Sequence, residues 1–94
     1  MKARNASEVK RFQDIPNVGD AMASDFHLLG IKKPEQLRGK DPFALYKKLC
    51  RVTNTRQDPC VLDTFMAVTD FMNGAPAASW WMYTASRKKK YTEL

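Results

Sequence analysis

The residues in this chain whose types and spacing could do chemistry are Ile15-Pro16-Asn17-Val18-Gly19-Asp20, and the chemistry is the holding of an anion. Pro16 fixes its own φ and biases Ile15 away from helix, while Gly19 admits a backbone angle or a close approach that a Cβ would forbid. Val18 can turn inward between them. A helix that starts at Asp20 opens on unbonded backbone N–H groups at the positive end of its dipole, which is where phosphates bind. The N–H groups of Val18, Gly19 and Asp20 are therefore candidate phosphate donors, with Asn17 in the turn beside them. Asp20 places a negative charge at the same helix end, so the site stays open only if that carboxylate points away. The plainer alternative is a turn that packs two helices and binds nothing.

The cations that would assist such a grip are concentrated in the middle of the chain. Residues 32–56 carry Lys32, Lys33, Arg38, Lys40, Lys47, Lys48, Arg51 and Arg56 against Glu35 and Asp41. The net charge is +6, and much of the excess lies at the two ends, in Lys2, Arg4 and Arg87–Lys90. The later segment, with Asp58, Asp63 and Asp70, should be acidic, which makes the folded part a dipole. We take Lys40, Lys47, Lys48 and Arg51 as the side chains around the hairpin. Each phosphate contact on duplex DNA would steepen the log–log salt dependence by roughly 0.9. Taken singly, each of these lysines is an ordinary solvated helix residue.

Other chemistry is weakly represented. Cys50 and Cys60 could face one another, and Cys60 would feel a helix N-terminus, but Asp58 opposes a thiolate and the one histidine, His27, lies elsewhere. Two inert thiols are the expectation, with no metal and no cofactor. Trp80 and Trp81 could stack on unpaired bases or could cap the core. No phosphate-loop glycine run, nucleophile elbow or clustered acid/base pair is present, so a binding protein is expected rather than an enzyme.

The elements that position these residues follow from periodicity and punctuation. Asn5-Ala6-Ser7-Glu8 fits a capping box, and Val9, Phe12 and Ile15 share one face of the short helix it would open. Met22, Ala23, Phe26 and Leu29 line the second helix; Gly30 supplies its left-handed C′ position, with Ile31 folding back onto Phe26. Lys33-Pro34 to Arg38 predicts one or two helical turns. Asp41-Pro42 caps a helix with Leu45, Leu49 and Val52 inward, and residues 7–29 and 34–52 form two related helical hairpins. Asp58-Pro59 repeats that start and opens a long helix whose broad apolar face, from Val61 to Met72, lies across both hairpins. Asn73-Gly74-Ala75-Pro76 ends it, and the conformation of residues 75–86 stays open.

The run Ile15 to Ile31 resembles the helix-hairpin-helix motif of DNA-handling proteins, through Pro16, Asn17-Val18-Gly19, Ala23, Leu28 and Gly30-Ile31. That motif usually has glycine at both outer positions of the hairpin triplet; here Asn17 holds the first, a residue that tolerates left-handed angles. Leu29-Gly30-Ile31, Leu37-Arg38-Gly39, Asp41-Pro42, Leu45-Tyr46, Leu49-Cys50, Asp58-Pro59-Cys60-Val61-Leu62-Asp63 and Trp80-Trp81-Met82-Tyr83-Thr84 extend the likeness over most of the chain. Together they are similar to the small bacterial helix-hairpin-helix proteins of the pathogenicity-locus family, a resemblance that implies a fold and no established activity. The expected fold class is all-α: a tandem helix-hairpin-helix (SAM-like) domain with a long third-segment helix and an aromatic C-terminal segment.

Ninety-four residues with 44% hydrophobic composition suit a single domain with a modest core. The domain is expected over residues 5–86, with 87–94 as a basic flexible tail. No apolar run has membrane-spanning length and the N-terminus lacks a secretion signal, so the expectation is a cytoplasmic protein without membrane attachment, a monomer or weak dimer. Its partner is expected to be DNA, bound nonspecifically through backbone phosphates. The alternative is an adaptor that docks an unidentified protein on the same hairpin or on the Trp80-Trp81 surface.

Overall fold

A fourteen-residue helix, α3 (Pro59–Met72), is buried on nearly every side, with all positions from Leu62 to Thr69 inside. Asp58 caps it by accepting the Cys60 N–H at 2.9 Å, and Pro59 sits at its first turn, as the Asp-Pro pair predicts. Around it, in the computed structural model, which describes residues 2–92, pack α1 (Asp20–Leu28), α2 (Pro42–Thr53) and α4 (Thr84–Lys90), together with four 3-10 turns. No strand occurs among the described residues. The all-α expectation therefore holds. An aromatic line runs through the core: Phe12 meets Phe26 of α1 at 5.3 Å between ring centroids, and Phe26 meets Phe65 of α3 at 5.5 Å.

Three helices end in the same way. At α1 the Ile31 N–H donates to Phe26 O at 2.9 Å and the Gly30 N–H to His27 O at 3.0 Å, the paired bonds of a Schellman cap around Gly30 at φ +83°. The pattern recurs at Asn54 after α2 and at Gly74 after α3. Each cap turns the chain sharply, which lets short connections stack the helices around α3.

The N-terminal reading needs correction. Residues 5–15 do not form a helix; they form two 3-10 turns, Ala6–Glu8 and Phe12–Asp14, joined by extended backbone. Two carboxylates cause the break. Glu8 accepts the Arg4 N–H at 2.8 Å, one residue earlier than the capping box requires, and Asp14 accepts the Lys10 and Arg11 N–H groups at 3.0 and 3.1 Å. Side-chain bonds of this kind compete with helix propagation. Phe12 and Ile15 are nonetheless buried, so the apolar pattern reports burial correctly and the period incorrectly.

On α2 the inward set is Leu45, Tyr46 and Leu49, while Val52 faces solvent. The next inward position is Thr53, half-buried, whose hydroxyl donates to Leu49 O at 2.7 Å.

The division at residue 86 also fails, because α4 spans it. Asp63, in the middle of α3, accepts from the Thr84 hydroxyl and from Arg87 Nε, each at 2.8 Å, and Tyr91 is buried against Phe43 of α2 at 4.5 Å. Arg87 to Tyr91 therefore belong to the folded unit. Glu93 and Leu94 lie outside the described residues. The expected acidic surface shrinks as well: Asp63 is buried and paired, Asp58 caps its own helix, and only Asp70 remains as an exposed acid on α3 itself.

Candidate functional site

The hairpin forms by local rules. Val18 is 1% exposed and anchors the turn in the core, with its N–H donated to Ile15 O at 3.1 Å. That bond removes Val18 from the candidate phosphate donors. Asn17 takes a left-handed conformation, φ 74°, which asparagine tolerates better than most residues. Its side chain is committed inward: Nδ2 donates to Ala78 O at 2.8 Å and Oδ1 accepts the Trp80 N–H at 3.3 Å. Asn17 thus ties the hairpin to the aromatic segment and does not face a ligand.

Gly19 is the N-cap of α1 with φ −104°, an ordinary extended conformation, and a Cβ built on it would meet nothing within 4 Å. The N–H groups of Gly19, Asp20, Ala21 and Met22 have no hydrogen-bond partner among the described residues, and the first bond of the helix is Ala23 N–H to Gly19 O at 3.0 Å. Gly19, Asp20 and Ala21 are exposed. The Asp20 carboxylate caps none of these amides; it accepts from Gln13 Nε2 at 3.3 Å.

A cation unforeseen in the sequence lies against the hairpin. The Lys2 ammonium donates to Gln13 O at 2.7 Å and also to Val18 O. The Ala3 N–H donates to Asp14 O at 2.8 Å, which fastens the segment that carries it. Nothing in spacing or composition marks Lys2, since the bond spans sixteen residues and the residue reads as part of a charged terminus.

The four basic candidates do not gather around the hairpin. Lys48 donates to Leu29 O at 3.0 Å, so it caps the C-terminal end of α1, and with Lys40, Arg38, Gln36, Gly30 and Ile31 it lines an open cleft of about 540 Å³. Gly19 and Leu29 are ten residues apart, roughly 15 Å along a helix axis. The amides and the cationic cleft therefore occupy opposite ends of α1. Lys47 lies over the Phe43 ring at 4.7 Å, and Arg51 lines a separate cleft with Tyr46, Cys50, Asn54, Thr55 and Arg56. The patch expected around the hairpin therefore does not form: Lys40 and Lys48 share the cleft at the far end of α1, and Lys47 and Arg51, one turn apart on α2, lie outside it.

Both cysteines are free; burial and then Asp58 push the Cys60 thiol up, and Cys50 Sγ accepts the Gln57 N–H at 3.4 Å. No group of three metal-ligating side chains occurs among the described residues. Nor is any described helix long and apolar enough to cross a membrane.

No solved structure matches this chain. The mitomycin resistance protein McrB of Streptomyces lavendulae is 44% identical over 73 residues, which cover 78% of this chain and 70% of the relative. The family model described as Cdd1, pathogenicity locus, matches residues 5–89, from the first 3-10 turn into α4. The chain belongs to the pathogenicity locus family.

Proposed function

We propose that this chain is a nonspecific nucleic-acid-binding module that grips backbone phosphates at two points, the amides that open α1 and the cationic cleft at its other end. The observation that carries this reading is the state of Gly19. Its amide is unbonded among the described residues, and the fold makes no internal demand for a glycine there, through neither φ nor packing. What the missing side chain leaves is room for a phosphate beside the Gly19, Asp20 and Ala21 N–H groups. Lys2 adds positive charge to that end.

The two halves support a tandem helix-hairpin-helix reading, each running as a 3-10 turn, a tight loop and an α-helix. Separation by roughly 15 Å is comparable to the ~12 Å width of a duplex major groove, so one duplex can engage both ends of α1. Arg38, Lys40 and Lys48 supply the second contact; Lys47 and Arg51 fall outside it. The function assigned is binding without catalysis, in the cytoplasm. Mitomycin resistance, the property in the name of the Streptomyces relative, offers a cellular readout: any protection the chain confers on its host should be lost in Gly19→Glu.

The alternative, a protein adaptor, draws support from the exposed Trp81 and Met82. Salt separates the two readings. A labelled generic duplex should bind at low salt and weaken with a log–log slope steeper than roughly −2 as salt rises, and Gly19→Glu should abolish binding while the variant stays folded. Absence of binding at low salt, or a Gly19→Glu variant that binds like the wild type, would favour the adaptor.

A further inference from the structure

The side chain of Asn17 joins the hairpin to the turn Trp80–Tyr83, and that turn is fixed at both ends. At its start Asn17 accepts the Trp80 N–H and donates to Ala78 O; at its end Thr84 is bonded to the buried Asp63. The Met82 N–H closes it by donating to Ser79 O at 3.0 Å. Between these fixings the chain holds two large apolar side chains in water: Trp81 is 62% exposed and Met82 68%. Trp80, half-buried, meets the Trp81 ring edge-on at 5.9 Å and so limits its orientation. A lone exposed apolar residue needs no explanation, but an indole presented to solvent by a fixed turn beside a candidate ligand site does.

We infer that Trp81 is a stacking platform for an unpaired base, and that the preferred ligand is single-stranded nucleic acid, or a duplex with an unpaired stretch. The inference rests on the phosphate grip proposed above. Trp81 is one residue beyond Trp80 and Gly19 two beyond Asn17, so at ~3.8 Å per residue the ring and the free amides stand within a few nucleotides of each other along a strand. The surroundings favour a polyanion over an apolar protein face: Lys2 lies at the hairpin, and α4, which follows the turn directly, exposes Lys88, Lys89 and Lys90. Stacking on an aromatic side chain requires an exposed π face and tolerates any base, which suits a grip without sequence preference. A paired base has its faces covered by its neighbours and cannot use the indole.

The test compares an oligothymidine with a length-matched duplex by fluorescence anisotropy and tryptophan emission, using the full chain and Trp81→Ala, Trp81→Phe and Gly19→Glu. Oligothymidine should bind more tightly than the duplex and quench tryptophan emission. Trp81→Ala should weaken oligothymidine roughly 5- to 150-fold, the range of one base–aromatic stack, and leave the duplex unchanged. Trp81→Phe should keep most of the preference, which a merely structural role would not predict. Gly19→Glu should lose both ligands. If Gly19→Glu loses both but Trp81→Ala leaves oligothymidine binding intact, the stacking inference fails and the phosphate grip stands. If Gly19→Glu binds like the wild type, the grip itself fails. A sedimentation mass that halves in Trp81→Ala would show a second copy of the chain covering the indole, and would overturn the inference.

Discussion

Asp63 and Arg87 form an ion pair inside the molecule, 2.8 Å apart, with side chains 1% and 12% exposed. The second carboxylate oxygen is satisfied by the Thr84 hydroxyl at 2.8 Å, so the pair locks α4 onto the middle of α3. Removing one partner of such a pair strands a buried charge, which costs about 3–5 kcal/mol. Arg87→Ala should therefore lower stability by that order in urea unfolding followed by tryptophan fluorescence. Lys88→Ala, one residue on and exposed, should change it by less than about 0.5 kcal/mol. Equal effects of the two variants would mean that α4 is not held through Asp63.

Stability should also depend on pH through the carboxylates that cap the turns. Glu8 is held below its usual range by the Arg4 N–H, Asp14 by those of Lys10 and Arg11, and Asp58 by that of Cys60. Each takes up a proton more readily when unfolded, so its contribution is complete above the ordinary carboxylate pKa of ~4 and is lost as pH falls through the lowered value. Asp25, raised by burial, acts in the opposite sense and is outnumbered. Urea midpoints should be level from neutral pH down to about 5 and then fall, less steeply in a Glu8→Gln, Asp14→Asn double variant. A midpoint that stays level below pH 4 would contradict this.

Tyr83 carries a second titration signature. Burial, with the Asp70 carboxylate beside it, pushes its hydroxyl up to about 12. In an alkaline absorbance titration the Tyr83 phenolate should appear well after the ordinary value of ~10, and Tyr46, also pushed up by burial, should be delayed as well. Asp70→Asn should bring it down. Simultaneous ionisation of all the tyrosines would show that Tyr83 is not packed as described.

The cations at the two ends of α1 should separate in their effects. Lys48→Ala removes the donor to Leu29 O and should cost roughly 0.3–1 kcal/mol of stability, the value of a cation at a helix C-terminus. It should also make the salt slope of nucleic-acid binding shallower by about 1. Lys2→Ala should reduce the slope by a similar amount. Lys47→Ala, whose ammonium lies over Phe43, should leave the slope unchanged. A uniform effect of all three would indicate diffuse attraction in place of two defined contacts.

The parts of this fold legible in the sequence are those set by local chemistry. Asp58-Pro59 and Asp41-Pro42 mark helix starts, Gly30-Ile31 marks a Schellman end, and the apolar run of α3 marks the central helix, because each depends on neighbours a few residues away. The N-terminal segment has the apolar spacing of a helix without being one, because Glu8 and Asp14 bond to nearby backbone, a competition that spacing does not register. The site was harder still. Gly19 and the inward Val18 stand out in the sequence, but Lys2 at the hairpin, Asn17 on Trp80 and Arg87 on Asp63 are contacts across sixteen, sixty-three and twenty-four residues that no periodicity encodes. Clustering in sequence also implied one patch at the hairpin for Lys40, Lys47, Lys48 and Arg51, whereas Lys40 and Lys48 line the cleft at the far end of α1 and Lys47 and Arg51 lie outside it.

The central claim, that the amides opening α1 hold a phosphate, is tested most directly by following backbone N–H resonances while a short oligonucleotide is added. The Gly19, Asp20 and Ala21 signals should move first and furthest, and should return as salt is raised. Shifts confined to other parts of the chain, or no shifts at all in low salt, would contradict the account.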